Sequence, residues 1–376
     1  MKINFSRLGA SQIGNLKDAI ASYEAKMATS SAVPAVLYLE LTRNCPGRCV
    51  FCRRTWENQP SQKMPEEVFA YALKEYVSNA VLVSLNGWGE SLILPDLDEC
   101  VNRVARYGPK IRITTTLGCK NQKALQSLID NDVYVSVTFD AAEKSLYEKT
   151  RKGISYDAVL QNLGFLTKEM KKKGTLKENI RFSIAPLQNR NLSQVGKIID
   201  VARHFGIAEV ALTPLFAHRF NPHLLRYHKK NTLEALKEGV QRARRAGIQL
   251  HLHYSPFKEL IFREDAFDLC CHPWLYGFVN YKGDLLFCDH LIFPHYARYT
   301  LGHITEEKER AWNGGKAQKL RLAHIQRHGG DLPGACNGCY ADGRYADHEH
   351  ALDDQFRRWL VTDKQMGERL LCHGCQ

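Results

Sequence analysis

The chain has 376 residues, enough for one large core or for a barrel followed by a smaller module. With 44% apolar and 24% charged residues it has the make-up of a folded globular protein, and no run of about 18 apolar residues marks a membrane helix. Its formal charge of +12 leaves a basic surface, much of it solvated lysine such as Lys168, Lys171, Lys172 and Lys173. That surplus suits an anionic partner: a phosphorylated or nucleotide-linked substrate, an acidic peptide, or an acidic one-electron reductant. No nucleic-acid-binding motif accompanies the charge.

Residues 1–34 read as an amphipathic helical extension without the apolar core of a signal peptide, so the expected compartment is the cytoplasm. Disulfides are disfavoured there, and the twelve cysteines fall in short spacings that suit metal ligation. From residue 35, apolar runs alternate with helical patterns. Strands are predicted at 35–42, 81–85, 111–116, 133–140, 181–187 and 209–214. Helices are predicted at 65–78, 97–106, 122–131, 143–172 (mostly helical) and 192–205. Regular βα alternation gives an α/β fold with a parallel sheet and outer helices, and right-handed crossovers curl six such units into a partial barrel over 35–225. A connecting helix at 231–246 and a short strand at 249–253 occupy 226–262. A small cysteine-rich module is expected over 263–345, with strands 277–281 and 285–288 flanking the turn Lys282-Gly283-Asp284. A helix and tail complete 346–376.

Cys45-Pro-Gly-Arg-Cys49-Val-Phe-Cys52 follows directly on the first strand with the spacing C-x3-C-x2-C. Three thiolates on one loop can hold three irons of a 4Fe–4S cubane and leave the fourth open to a substrate. Zinc would want a nearby fourth ligand, and no His lies in this loop.

The motif resembles that of the radical S-adenosylmethionine (SAM) superfamily, whose open iron chelates SAM and whose cluster cleaves it to a 5′-deoxyadenosyl radical. The resemblance implies that Phe51 lies against the adenine. Asn86-Gly87-Trp88-Gly89-Glu90-Ser91 is similar to the family's Gly-Gly-Glu-Pro segment, so Gly87, Gly89 and Glu90 are expected at the SAM amino group; Trp88 and Ser91 depart from the commonest residues. Thr116, at the end of the third strand, and Asp140, at the end of the fourth, match segments that bind SAM, and Arg151 matches a recurring Arg-Gly region of the next helix. Hydroxyls and the Asp140 carboxylate suit the ribose; Arg151 suits the SAM carboxylate.

Cys271-x11-Gly283-x4-Cys288, followed by Cys336-Asn-Gly-Cys339, resembles the twitch form of the SPASM module found after some radical SAM barrels. The resemblance implies an auxiliary 4Fe–4S cluster on Cys271, Cys288, Cys336 and Cys339, with zinc the rival occupant. A full SPASM module would continue with cysteines where Tyr345 and Glu349 stand, so a second auxiliary cluster is not expected. Cys270 is an alternative ligand or a hydrogen donor, and Cys372 and Cys375 have ligand spacing in the tail. Cys100 and Cys119 read as single thiols. His218, Arg219, His251, His253, Asp289 and His290 are candidate pocket residues.

The expected activity is reductive SAM cleavage followed by hydrogen abstraction from a small polar, sugar-like or anionic molecule, with net oxidation. An external reductant such as flavodoxin or ferredoxin would supply electrons. The alternatives are peptide modification, epimerisation and, as a non-enzymatic role, electron carriage. Many SPASM relatives that modify peptides carry an N-terminal recognition domain of some 80 residues, and only about 34 precede the barrel here.

Overall fold

Strands form where short runs of branched and leucine side chains alternate with polar ones, and helices where apolar residues recur every three or four positions. The computed structural model describes residues 1, 3–56, 62–215, 221–252, 269–291, 298–327 and 332–342. Helix α1 (Ala10–Glu24) precedes strand β1 (Val36–Leu39). There follow α2 (Glu66–Glu75), β2 (Leu82–Ser84), α3 (Leu97–Ala105), β3 (Lys110–Thr115), α4 (Gln122–Asp130) and β4 (Tyr134–Thr138). The barrel continues through α5 (Lys144–Thr150), α6 (Tyr156–Lys173), β5 (Ile180–Leu187), α7 (Val195–His204) and β6 (Glu209–Pro214). Then come α8 (Lys229–Ala246), β7 (Gln249–Leu252), β8 (Tyr276–Val279), β9 (Asp284–Leu286), β10 (Gly302–His303), α9 (Gly315–Gln326) and α10 (Gly334–Asp342).

The ten strands form one sheet in the order β10-β9-β8-β1-β2-β3-β4-β5-β6-β7. Strands β8 and β1 to β7 run parallel, and β9 and β10 fold back antiparallel. The six expected strands are the centre of this partial barrel. β7 extends one edge, and β8, the first strand of the cysteine-rich module, extends the other by pairing with β1. The module is thus continuous with the barrel through main-chain hydrogen bonds.

Alternation along each strand sorts the side chains. Ile111, Ile113, Val135, Val137, Phe182, Ile184, Val210 and Leu212 turn outward into the core shared with Val101, Leu125, Leu163 and Ile198 of the helices. A second apolar cluster joins Leu16, Ala19 and Ile20 of α1 to Val36, Leu82 and Tyr276, the first residues of three adjacent strands. Burying a side chain such as Leu16 contributes about 1.5–3 kcal/mol. Tyr23 and Trp274 stack edge to face, and each donates a 2.7 Å hydrogen bond, to the Leu269 and Met27 carbonyls respectively.

The helix expected over 143–172 is two helices. It breaks after Thr150, where Arg151–Lys152 pairs antiparallel with Arg48–Cys49. Gly153 then takes a left-handed φ of +85°, and a Cβ there would lie 2.6 Å from the Pro46 carbonyl oxygen. Ser155 restarts the helix by accepting the Ala158 amide.

Candidate cofactor and auxiliary site

The cysteine loop follows β1 and is held by its backbone. Arg54 donates to the carbonyls of Cys45 (3.1 Å) and Gly47 (2.6 Å), and the Arg48–Cys49 pairing fixes the middle of the loop against Arg151–Lys152. Burial, with Glu90 adding to it, pushes the Cys45 thiol up to about 11; burial also raises Cys49, against the opposing charge of Arg151. Three partly desolvated sulfurs on one loop form a donor set suited to a soft iron–sulfur centre.

Strand ends beside this loop carry the residues expected at SAM. The Glu90 carboxylate accepts from Thr115 Oγ1 (2.7 Å) and from the amide and hydroxyl of Thr116 (both 2.8 Å), which pins the 86–91 loop to the end of β3. Thr116 is therefore engaged with Glu90. A Cβ on Gly89 would lie 2.1 Å from the Thr42 carbonyl oxygen, and one on Gly87 would lie 2.3 Å from Glu40 Cγ, so both positions require glycine for close backbone approach. That crowding is the observation by which this segment fits an amino-group cradle built from backbone.

Asp140 and Arg151 form a buried ion pair, 2.6 Å between Oδ2 and an Arg151 terminal nitrogen. Burial lifts the Asp140 carboxyl to about 6 although Arg151 opposes the shift. Arg151 also lies 3.8 Å from Cys49 Sγ, donates 3.2 Å to the Ala185 carbonyl and sits 5.2 Å from the Phe51 ring centre. Sequence reasoning assigned Arg151 to the SAM carboxylate; the geometry joins it to Asp140, Phe51 and the cluster loop.

In the cysteine-rich module, Asn280 Oδ1 accepts the amides of residues 282, 283 and 284 and closes the β8–β9 turn. Cys288 follows β9, and Cys336 and Cys339 lie three apart on α10, hence on one face. Cys271 caps the short turn His272–Leu275 and packs in the apolar cluster beneath α1. The Cys270 amide donates 3.0 Å to the Tyr340 hydroxyl, which also lies 2.9 Å from His324 Nδ1. Cys270 and Cys336 both add to the burial that raises the Tyr340 phenol. Cys372, Cys375, His218, Arg219 and His253 fall outside the described residues. His251 faces Glu209 at 3.6 Å, Asp289 lines a pocket with Cys288, and His290 lies in the turn Asp289–Leu291.

Several contributors escaped the sequence. The fully buried Glu40 accepts from Arg43 Nε (3.0 Å), the Trp88 amide (2.9 Å) and the Tyr281 amide (3.3 Å). One carboxylate so joins β1, the 86–91 loop and the β8–β9 hairpin. Cys119, beside Cys45 and Glu90, is raised to about 12 chiefly by burial. The inner face of the barrel is polar: Tyr38, Ser84, Arg112, Tyr134, Ser136, Arg181 and Glu209 alternate with the outward apolar residues. The period-two pattern of Arg112 and Thr114, and of Ser136 and Thr138, was the available signal.

These features recur in known proteins. The radical SAM superfamily model matches residues 39–180, and an iron–sulfur cluster-binding domain, SPASM, matches residues 270–340. The chain thus carries a radical SAM domain followed by a SPASM-type module, and these domains imply 4Fe–4S clusters and SAM as cofactors. A curated relative from Sulfurisphaera tokodaii, described as a probable GTP 3′,8-cyclase, is 27% identical over 223 residues, 58% of this chain and 68% of the relative. Streptococcus suis SuiB bound to S-adenosylmethionine superposes with a TM-score of 0.64 at 14% identity, covering 89% of this chain and 76% of SuiB. The structure of anSMEcpe with bound AdoMet gives 0.58 at 14% identity, over 76% and 82%. No helix among the described residues is long and apolar enough to cross a membrane.

Proposed function

We propose that this radical SAM enzyme removes a hydrogen atom from a small polar molecule held in the barrel and completes its net oxidation beside the auxiliary module. The observation that carries the reading is the position of Cys288 and Asp289: both line a pocket with Tyr38, whose strand β1 leads directly into the SAM-cluster loop. When bound, the SAM cluster and SAM would supply the means of removing a carbon-bound hydrogen atom, and the auxiliary cluster would supply a one-electron acceptor for the net oxidation. In this reading Cys45, Cys49 and Cys52 hold the SAM cluster. Gly87, Gly89 and Glu90 shape the cradle for the SAM amino group. Asp140 and Arg151 fix the wall behind Phe51. Cys288, Cys336 and Cys339 hold the auxiliary cluster, with Cys271 or Cys270 as the fourth thiolate. An acidic one-electron donor of the flavodoxin or ferredoxin type suits the basic surface.

The test is to reduce cluster-loaded protein with SAM and candidate sugars or cyclitols and to measure deoxyadenosine and substrate mass. Loss of two hydrogens with stoichiometric deoxyadenosine supports oxidation. Unchanged mass with deuterium uptake from water supports epimerisation instead, and Cys270 is then the thiol to replace. A second reading, peptide modification, draws on the fold shared with SuiB, one of whose structures holds the precursor peptide SuiA. Turnover of a peptide and of no small molecule would select it.

A further inference from the structure

Among the described residues, the inner ring of the barrel holds a cation, Arg112, that forms no ion pair. The sheet register sets Tyr38 beside Ser84, Ser84 beside Arg112 and Arg112 beside Tyr134, with Arg181 beside Ser136. Ile111 and Ile113 point into the outer core, so Arg112 between them faces inward. The two arginines of this ring differ. Arg181 is satisfied: it lies 3.3 Å from Glu209 and donates to Ser136 Oγ at 3.0 Å. Glu209 is fully engaged, also accepting from the Tyr134 hydroxyl at 2.8 Å and facing the Met1 ammonium at 3.5 Å and His251 at 3.6 Å. Among the described residues no carboxylate is paired with Arg112, and its Nε is buried without a hydrogen bond.

Tyr38 connects this arginine to the auxiliary module. Its phenol is raised chiefly by burial, with the charges of Arg112 and Arg181 opposing the shift and those of Asp289 and Cys288 adding to it. It stacks with Phe278 of β8, and both residues line the pocket that Cys288 opens into. A half-buried cation with spare donors, next to a phenol and apolar walls, is a site for a planar or tetrahedral oxyanion.

We propose that the substrate enters the barrel as an anion, with a carboxylate or phosphate bound by the Arg112 fork and the Tyr38 hydroxyl. This rests on the reading that a small molecule is turned over in the barrel. On β3, Arg112 lies three residues before Thr115, which binds Glu90 of the SAM loop. At ~3.3 Å per residue the anion sits about 10 Å below the SAM end of the strand. A carbon skeleton of roughly sugar size spans that distance and brings a carbon-bound hydrogen to the strand ends. The basic character of the whole chain acts in the same direction by drawing anions toward the opening.

The test uses cluster-loaded, SAM-bound enzyme and two probes, inorganic phosphate and malonate, titrated by calorimetry at constant ionic strength. Saturable binding of at least one probe is expected, weakened at least tenfold in Arg112→Gln and unchanged in Arg226→Gln at an exposed position. The stronger probe distinguishes a phosphoryl from a carboxylate substrate. Should Arg112→Gln lack a normal melting transition, Arg112→Lys decides: it keeps the charge and loses the two-pronged contact, and affinity should still fall several-fold. Absence of saturable binding in the unaltered enzyme, or equal binding in both Arg112 variants, overturns the anion site. Anion binding at Arg112 together with turnover of peptides alone would retain the site and reject the small-molecule reading.

Discussion

Asp140 shows how a single residue can serve the fold and the site together. Its carboxylate holds Arg151, which reaches the sulfur of Cys49 and the ring of Phe51. Removing one member of a buried ion pair strands the other and costs about 3–5 kcal/mol. Asp140→Ala should therefore lower the melting temperature markedly and weaken SAM binding, while iron bound by Cys45, Cys49 and Cys52 is retained. Unchanged melting and unchanged SAM affinity would show that the pair is peripheral. His324 gives a pH signature. Burial lowers its imidazole to about 3, against an ordinary value of 6.5. The unfolded chain takes up this proton below pH 6.5 and the folded chain does not until about pH 3. This contribution to stability is thus complete above 6.5 and falls on acidification, by up to about 1.4 kcal/mol per pH unit. Asp140, lifted to about 6, acts in the opposite direction over part of this range, so the signature is the difference between the unaltered protein and His324→Gln in thermal melts from pH 7 to 5, which should amount to close to one proton. The motif residues were legible because their chemistry lies in local spacing. Glu40 and Arg112 were not, because their meaning depends on which strands stand beside them.

At the level of elements, the barrel strands and most helices could be read from hydrophobic period, and their ends moved by at most three residues. The interruption at Arg151–Lys152 was hidden: the lysine- and glutamate-rich pattern runs on through it, and Gly153 alone hinted at the bend. That bend carries Arg151 to the cluster loop, so the least legible backbone feature is also the one that completes the site. Helix α10 offers a cleaner separation of roles. It bears Cys336 and Cys339, whereas the three cysteines expected at the SAM cluster lie on the loop after β1. Replacing both cysteines by Ala should remove about four of roughly eight irons and leave SAM cleavage intact. If the auxiliary cluster accepts the substrate electron, deoxyadenosine should still form while oxidised product disappears. Parallel loss of both would mean that the module only shapes the pocket, since a displacement of about 1 Å can cost 10²-fold in rate. Normal product yield at normal coupling would exclude the oxidative role.

The molecule as a whole is tied by one sheet. The sequence suggested a barrel and a separate module, yet β8 and β1 share main-chain hydrogen bonds, and α1 packs over the starts of β1, β2 and β8. A chain cut after residue 262 should consequently fail to give a soluble, cooperatively melting barrel, and the full chain should melt in one transition by circular dichroism. A soluble 1–262 fragment with its own sharp transition would show that the barrel is autonomous. This long-range pairing was beyond the reach of local pattern, because nothing near Val36 announces that its neighbour is Tyr276.

The same pairing bears on how the protein is made. As the ribosome extends the chain, β1 has β2 on one side soon after it emerges, but its other edge waits for β8. At ~5–20 residues per second that edge stays open for some tens of seconds of synthesis. An unpaired, apolar strand edge is a template for association with other nascent chains. Trigger-type chaperones, slow growth temperature and the timing of iron delivery should therefore govern the yield of active protein more than the stability of the finished fold.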